Sequence, residues 1–357
     1  MFILEAIKAK HGDCLLLQWG TAANRGLALI DGGPNTIYAD FLKPRLASIA
    51  KELKLPRVKL DLTMVSHIDD DHINGLLDLA EEIESGDAPA EIGLLWHNSL
   101  EGLLGETFAD GATASVTAAV GTHFPQMKDD IWAAKVLASV PQGQELHAFA
   151  KRKGIADKMN SPFAKIGKSG RRLVMAGQKA FTIKGLSLTV VGPMADEVEK
   201  LRKKWIELRD DDITAAFNDR SPYNLSSIVV LAEFGKQRML LTGDARGDHM
   251  LEGLEKASLL KKGKIHVDLL KVQHHGSQNN VTAEFFEKVT ADTYVVSGDH
   301  VKFPNPHKKA MTWLADARGK AKYEVFCPYD LDYMRDIFGK KLRVPENGAS
   351  FVRAKLG

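Results

Sequence analysis

Apolar positions along this chain fall in short runs separated by turn-forming residues, and two periodicities alternate. Residues 2–9 alternate loosely, and 14–19 form a second strand-like run after a Gly12-Asp13 turn. A third strand is expected at 27–30, ending at Asp31-Gly32-Gly33-Pro34, where glycine permits a tight turn. Residues 38–53 switch to helical spacing, interrupted by Pro44. Residues 60–65 read as a buried strand that halts at Ser66-His67, and 73–83 continue as a helix. A further short strand at 92–96 ends at His97.

Residues 98–180 are Ala-rich and Gly-interrupted, and predict an α-rich insertion on the scaffold. Beyond it the strand–helix rhythm resumes. Strands are expected at 186–191, 267–272, 293–297 and 323–326. A hairpin at 227–234 and 239–242 turns at Gly235-Lys236, and helices are expected near 195–209, 247–259, 282–289 and 307–317. Strands alternating with helices in both halves predict a layered α/β fold, with room for two similar halves. The reading is one domain, 1–357, with 98–180 inserted in it.

Composition changes this picture little. A hydrophobic share of 44% and a charged share of 26% are those of an ordinary soluble globular protein. No apolar run approaches the roughly 20 residues that cross a bilayer, and Met1 to Glu5 do not open a secretory signal, so no membrane role is expected. Cys14 and Cys327 are the only cysteines; they make no disulfide framework and point to a reducing cytoplasm. The net charge of +2 says nothing about partners, but its distribution does. From Lys151 to Lys184 there are ten Lys/Arg against the single acid Asp157. Such an excess, beginning at Lys151, Arg152 and Lys153, attracts a polyanion or forms a solvated surface.

The decisive segment is His67-Ile68-Asp69-Asp70-Asp71-His72, directly after a buried strand. So many ionisable groups beside an apolar strand must be solvated, paired or metal-bound. Imidazole and carboxylate together suit zinc, manganese or iron. An acidic helix N-cap is the alternative; it accounts for the aspartates but not for a histidine at each end. Three later strand ends add carboxylate, imidazole and hydroxyl: Thr242-Gly243-Asp244, His274-His275-Gly276-Ser277, and Asn224-Leu225-Ser226-Ser227 before a strand. Ligands at several strand ends can converge on one edge of a sheet sandwich.

These motifs resemble the metallo-β-lactamase superfamily, and more narrowly the soluble hydrolase domain of ComEC-type competence proteins. Gly12-Asp13, Ile30 to Gly33, Ser66 to Gly75, Leu240 to Asp244 and His274 to Ser277 carry the likeness, with Ser297-Gly298, Asn305 and His307 matching loosely. The resemblance implies a four-layer αβ/βα sandwich holding two divalent metal ions, zinc or manganese, at one edge. One position would take His67, Asp69 and bridging Asp244, with water or Asn224 filling in. The other would take Asp71, His72, Asp244 and either His274 or His275. Two departures stand out: Asp69 replaces the superfamily's second histidine, and Asn224 and Ser226 stand where a further histidine is usual. More oxygen donors favour manganese.

The resemblance further implies that Asp31 orients the His67–His72 loop and that His307, with His300 as a rival, protonates a leaving group or holds a phosphate oxygen. Asp70 caps the helix or supports a ligand. His97 touches substrate or packs in the core. The function expected is a metal-dependent phosphodiesterase or nuclease, with nucleic acid or another phosphodiester as substrate. A small-molecule ester, lactone or cyclic-nucleotide hydrolase and a non-catalytic metal-binding scaffold are the alternatives.

Overall fold

The computed structural model describes residues 1–104, 131–166, 171–210 and 226–357. Asn224 lies outside them, as does much of the expected insertion.

Two sheets carry the fold. The first runs β16-β1-β2-β3-β4-β5, built from β1 (Phe2–Ile7), β2 (Cys14–Gly20), β3 (Arg25–Gly32), β4 (Val58–Met64), β5 (Ala90–Trp96) and the C-terminal β16 (Phe351–Leu356). The second runs β15-β14-β13-β12-β11-β10-β9-β8. Its strands are β8 (Phe181–Ile183), β9 (Leu186–Gly192), β10 (Val229–Phe234), β11 (Gln237–Leu241), β12 (Ile265–Lys271), β13 (Val289–Val295), β14 (Glu324–Phe326) and β15 (Leu342–Arg343). Successive pairings from β1 to β5 are antiparallel, antiparallel, parallel, parallel, and those from β9 to β13 repeat that order. The chain therefore uses one topology twice, as the recurring strand–helix rhythm suggested.

Period-two alternation sorts each strand's side chains between two cores. Leu15, Leu17 and Trp19 of β2 face the second sheet, together with Val230, Met239 and Leu269 from that sheet. Leu16 faces the other way, toward Leu46 and Ile49 of the Lys43–Leu53 helix and Leu76 and Leu79 of the Asp70–Ser85 helix. On the far side, Leu240 and Leu270 pack against Met250, Phe285 and Met311 from three further helices. The result is helix, sheet, sheet, helix: the four-layer αβ/βα sandwich. Trp19 is fully buried between the sheets and its indole N–H donates to Ile183 O at 3.2 Å. Truncating it to alanine removes about 3–5 kcal/mol.

Pro44 does not break its helix. A π-type turn, Tyr38–Leu42, leads into Lys43–Leu53, and Pro44 sits at the start of the α-helical segment, where its fixed φ suits the helix. Between β5 and β8 the described residues form the helices Leu100–Leu104 and Ile131–Arg152 and a small hairpin of β6 (Lys165–Ile166) and β7 (Arg171–Arg172). No described helix is long and apolar enough to cross a membrane.

Candidate metal centre

Four strands, β3, β4, β11 and β12, deliver the site from their C-terminal ends. β3 carries Asp31 one residue before its end, β4 runs on to Ser66 and His67, β11 to Asp244, and β12 to His274 and His275. Parallel β3–β4 and β11–β12 put all these ends on one edge of the sandwich. The Asp70–Ser85 helix starts there too, held against the end of β3 by two glycines. A Cβ on Gly75 would lie 2.1 Å from Gly32 O, so only glycine allows this approach.

Asp244 stands at the centre with its two oxygens divided between two pairs of imidazoles. Oδ2 is 3.8 Å from His67 Nε2 and 3.5 Å from His274 Nε2. Oδ1 is 3.4 Å from His72 Nε2 and 3.6 Å from His275 Nε2. Asp69 Oδ2 approaches His67 Nε2 at 3.6 Å, and Asp71 Oδ2 approaches His275 Nε2 at 3.9 Å. These gaps are too long for hydrogen bonds. They match the roughly 3.4 Å edge between ligands held about 2.1 Å from one tetrahedral cation.

The donor atoms fit cations by a second measure. His67 Nε2, His72 Nε2, His275 Nε2, Asp69 Oδ1 and Asp244 Oδ1 are all buried without a hydrogen-bond partner. Groups of that kind are costly to bury unless something else satisfies them. Asp69 occupies the helix N-cap position, yet its side chain makes no capping bond. The acidic-cap alternative therefore fails for Asp69. Asp70 instead accepts a 2.7 Å bond from Gln142 Nε2.

Charge balance points the same way. Burial alone would lower His72, but the carboxylates of Asp244 and Asp31 hold its imidazole well above the ordinary range. Burial would raise Asp244, and the imidazoles of His274, His275 and His72 hold it well below. Without a cation, protons on histidine balance the buried carboxylates; a bound cation displaces them.

Asp31 lies behind the ligand loop. Its backbone is left-handed, φ 57°, and its carboxylate accepts from Ser66 N–H (2.7 Å) and Ser66 Oγ–H (2.7 Å) and contacts His72 Nδ1 at 2.9 Å. A carboxylate on Nδ1 leaves Nε2 as the lone-pair face, directed at Asp244.

A cleft of about 180 Å³ opens over Asp69, Asp71, His274 and His275, walled by His11, Phe303, Asn305 and His307. His300 is not in that wall; its Nδ1 faces Pro306 O at 3.2 Å. His307 caps the Lys308–Arg318 helix, with Nδ1 accepting from Lys309 N–H at 3.2 Å.

The site brings together His67, Asp69, Asp71, His72, Asp244, His274 and His275, with Asp31 behind them and Asn305 and His307 at the cleft. Both histidines of the 274–275 pair face Asp244, one on each oxygen, where the sequence reading placed only one. Of the two readings of His97, its surroundings favour core packing: it is 1% exposed just past β5, its ring lies against Gly143 of the Ile131–Arg152 helix, and burial with His147 nearby lowers it to about 4. Lys151, Arg152 and Lys153 are exposed at the end of that helix. Arg152 is engaged by Glu84 at 2.7 Å and Glu145 at 2.6 Å, and Lys153 Nζ donates to Ile83 O at 3.2 Å, so two of the three clamp the helix to its neighbour.

Two residues carry site contacts that the sequence reading gave no role. Asp13 joins His72, Asp244 and His275 in a buried group whose ligand atoms lie within 4.8 Å of one another. Lys271 pairs with Asp13 at 2.7 Å. The available signals were the Gly12-Asp13 turn and a lone lysine closing an apolar strand just before two histidines.

Residues 8–116 match the family model described as Metallo-beta-lactamase superfamily. ComE operon protein 3 of Bacillus subtilis (strain 168) is 28% identical over 131 residues, covering 31% of this chain and 16% of that protein. The chain thus spans about a sixth of that relative's length. Among solved structures, a new diphosphatase from the PhnP family aligns over 97% of this chain and 84% of that one, with a TM-score of 0.37 and 11% identity. Zinc-bound PqqB from Methylobacterium extorquens aligns over 100% of both chains, with a TM-score of 0.41 and 12% identity.

Proposed function

We propose that this chain, whose residues 8–116 fall in the metallo-β-lactamase superfamily, is a metal-dependent hydrolase of phosphodiesters, with nucleic acid as the leading substrate class. The observation that carries the reading is the division of Asp244 between two imidazole pairs. His67, Asp69, Asp244 and His274 would hold one divalent ion, and Asp71, His72, Asp244 and His275 the other. When bound, such ions, zinc or manganese, would bring the pKa of a water toward neutrality and offset the charge that builds up during a displacement at phosphorus. Asp69, standing where the superfamily has histidine, tilts the first position toward manganese.

The chain's own groups then handle substrate. With Nδ1 of His307 accepting from Lys309 N–H, Nε2–H is left as a donor that can hold a phosphate oxygen by a hydrogen bond. Asn305 offers an amide to a phosphate oxygen from the same wall. Asp31 keeps His72 aimed at Asp244.

A second reading, a small-molecule ester, lactone or cyclic-nucleotide hydrolase, is favoured by the narrowness of the cleft and by the engagement of Arg152 in ion pairs. A non-catalytic metal-binding scaffold is the third reading; against its one sequence support, a missing histidine near 224, His274 lies 3.5 Å from Asp244 Oδ2. Turnover of single-stranded DNA, RNA and bis-p-nitrophenyl phosphate, with and without manganese, separates them. Polymer cleavage abolished in Asp71→Ala upholds the proposal. Turnover of the small ester alone transfers it to the second reading, and silence with every metal sinks both.

A further inference from the structure

Lys271 is the only buried lysine among the described residues, with none of its surface exposed. It closes β12 two positions after Leu269, whose side chain lies between the sheets, so alternation turns Lys271 into the same interior. An ammonium there is costly unless paired. Its Nζ donates to Asp13 Oδ2 at 2.7 Å and to Val272 O at 3.1 Å, joining the start of β2 to the end of β12 across 258 positions.

The other face of the Asp13 turn touches the metal edge twice. Asp13 Oδ1 is 3.4 Å from His275 Nδ1, which also lies 2.9 Å from Ser297 Oγ. Asp13 N–H donates to Asp71 O at 3.2 Å. Gly12 presses on that same carbonyl, where a Cβ would come within 1.9 Å of the oxygen. Asp71 and His275 both belong to the Oδ1 side of Asp244.

We infer that Asp13 and Lys271 form a positioning pair for the metal position on the Oδ1 side of Asp244; the inference rests on the two-metal reading above. The Asp13 carboxylate 3.4 Å behind the ring favours, by its charge, a proton on His275 Nδ1, whose hydrogen-bond contact is Ser297 Oγ at 2.9 Å, and so leaves Nε2 as the lone-pair face toward Asp244. Lys271 holds Asp13 Oδ2, which fixes the carboxylate behind the imidazole instead of letting it swing in as an extra donor. The group's ligand atoms are close enough for that swing, so the ammonium decides which role Asp13 plays.

Calorimetric titration of the metal-stripped protein with Mn²⁺ and Zn²⁺ tests the pair, with a thermal melt of each variant as the fold control. The wild type takes up two equivalents. Asp13→Asn and Lys271→Met each weaken one equivalent by about 10–100-fold and leave the other unchanged. Each single variant also melts lower, because it strands one buried charge. The double variant, which strands none, regains melting temperature but not the lost affinity. Affinity that returns together with stability means the pair is merely structural and overturns the inference. Equal weakening of both equivalents does the same, as do variants that titrate like the wild type. A wild type that binds no second equivalent overturns the two-metal reading and the inference with it, so the two failures are told apart.

Discussion

The imidazoles of His274 and His275, adjacent in the chain, stand perpendicular, with ring centroids 5.8 Å apart. Both residues are left-handed, φ 47° and 53°, a conformation that costs an L residue about 1–2 kcal/mol. Successive left-handed residues at the end of β12 turn two neighbouring side chains toward opposite oxygens of Asp244. Strain of this kind persists only where the surrounding structure over-determines it.

His274→Gly should therefore separate stability from metal binding. Glycine adopts this backbone freely, so the metal-free variant is expected to melt no lower than the metal-free wild type while losing one metal equivalent. His275→Ala should lose the other equivalent, and Asp244→Ala both. Metal analysis after gel filtration and melts in chelator check this; a His274→Gly protein that keeps two equivalents contradicts it.

Asp31→Asn should reduce metal affinity by about 10–100-fold while leaving the fold intact. The carboxylate serves Ser66 and His72 together, and the amide cannot accept from both and face His72 Nδ1–H with the same charge. Competition with a chromogenic chelator measures it, and an unchanged affinity would remove Asp31 from the ligand loop's support.

His307→Ala should slow hydrolysis of a dinucleotide and of bis-p-nitrophenyl phosphate by a similar factor, about 10-fold, because the Nε2–H donor meets the phosphate that both substrates share. Comparing kcat/KM for the two substrates makes the test. A loss confined to the dinucleotide would show His307 protonating the leaving group instead.

His97 gives the fold an acid sensitivity of its own. Burial, then His147, lowers its imidazole from 6.5 to about 4, so below 6.5 the unfolded chain takes up a proton that the native chain refuses. The stability contributed is whole above pH 6.5 and is lost as pH falls toward 4, by about 3 kcal/mol in full. Urea melts of wild type and His97→Gln between pH 7 and 4 should show a steeper decline in the wild type. Parallel declines would contradict the burial argument.

What was legible in the sequence was local. Runs of alternating apolar residues foretold β1, β2, β10 and β12 within a few residues, because their partners are neighbouring strands and their faces are simple. The His67–His72 loop was legible because its ionisable groups are consecutive. What stayed hidden depended on distance along the chain. β16 was missed; it pairs with β1 from the opposite terminus, Phe2 against Leu356. The roles of Asp13 and Lys271 arise only when the two halves close on each other. His97 read as a possible substrate contact because nothing local reveals that a helix more than 30 positions later covers it.

Anomalous scattering from a crystal grown with Mn²⁺ or Zn²⁺ tests the central claim most directly. Two peaks about 3.5–4 Å apart, one on each side of Asp244, are predicted. They should be flanked by His67 with His274, and by His72 with His275. No peak at this edge, or a lone ion that leaves one oxygen of Asp244 and its two imidazoles empty, would contradict the account.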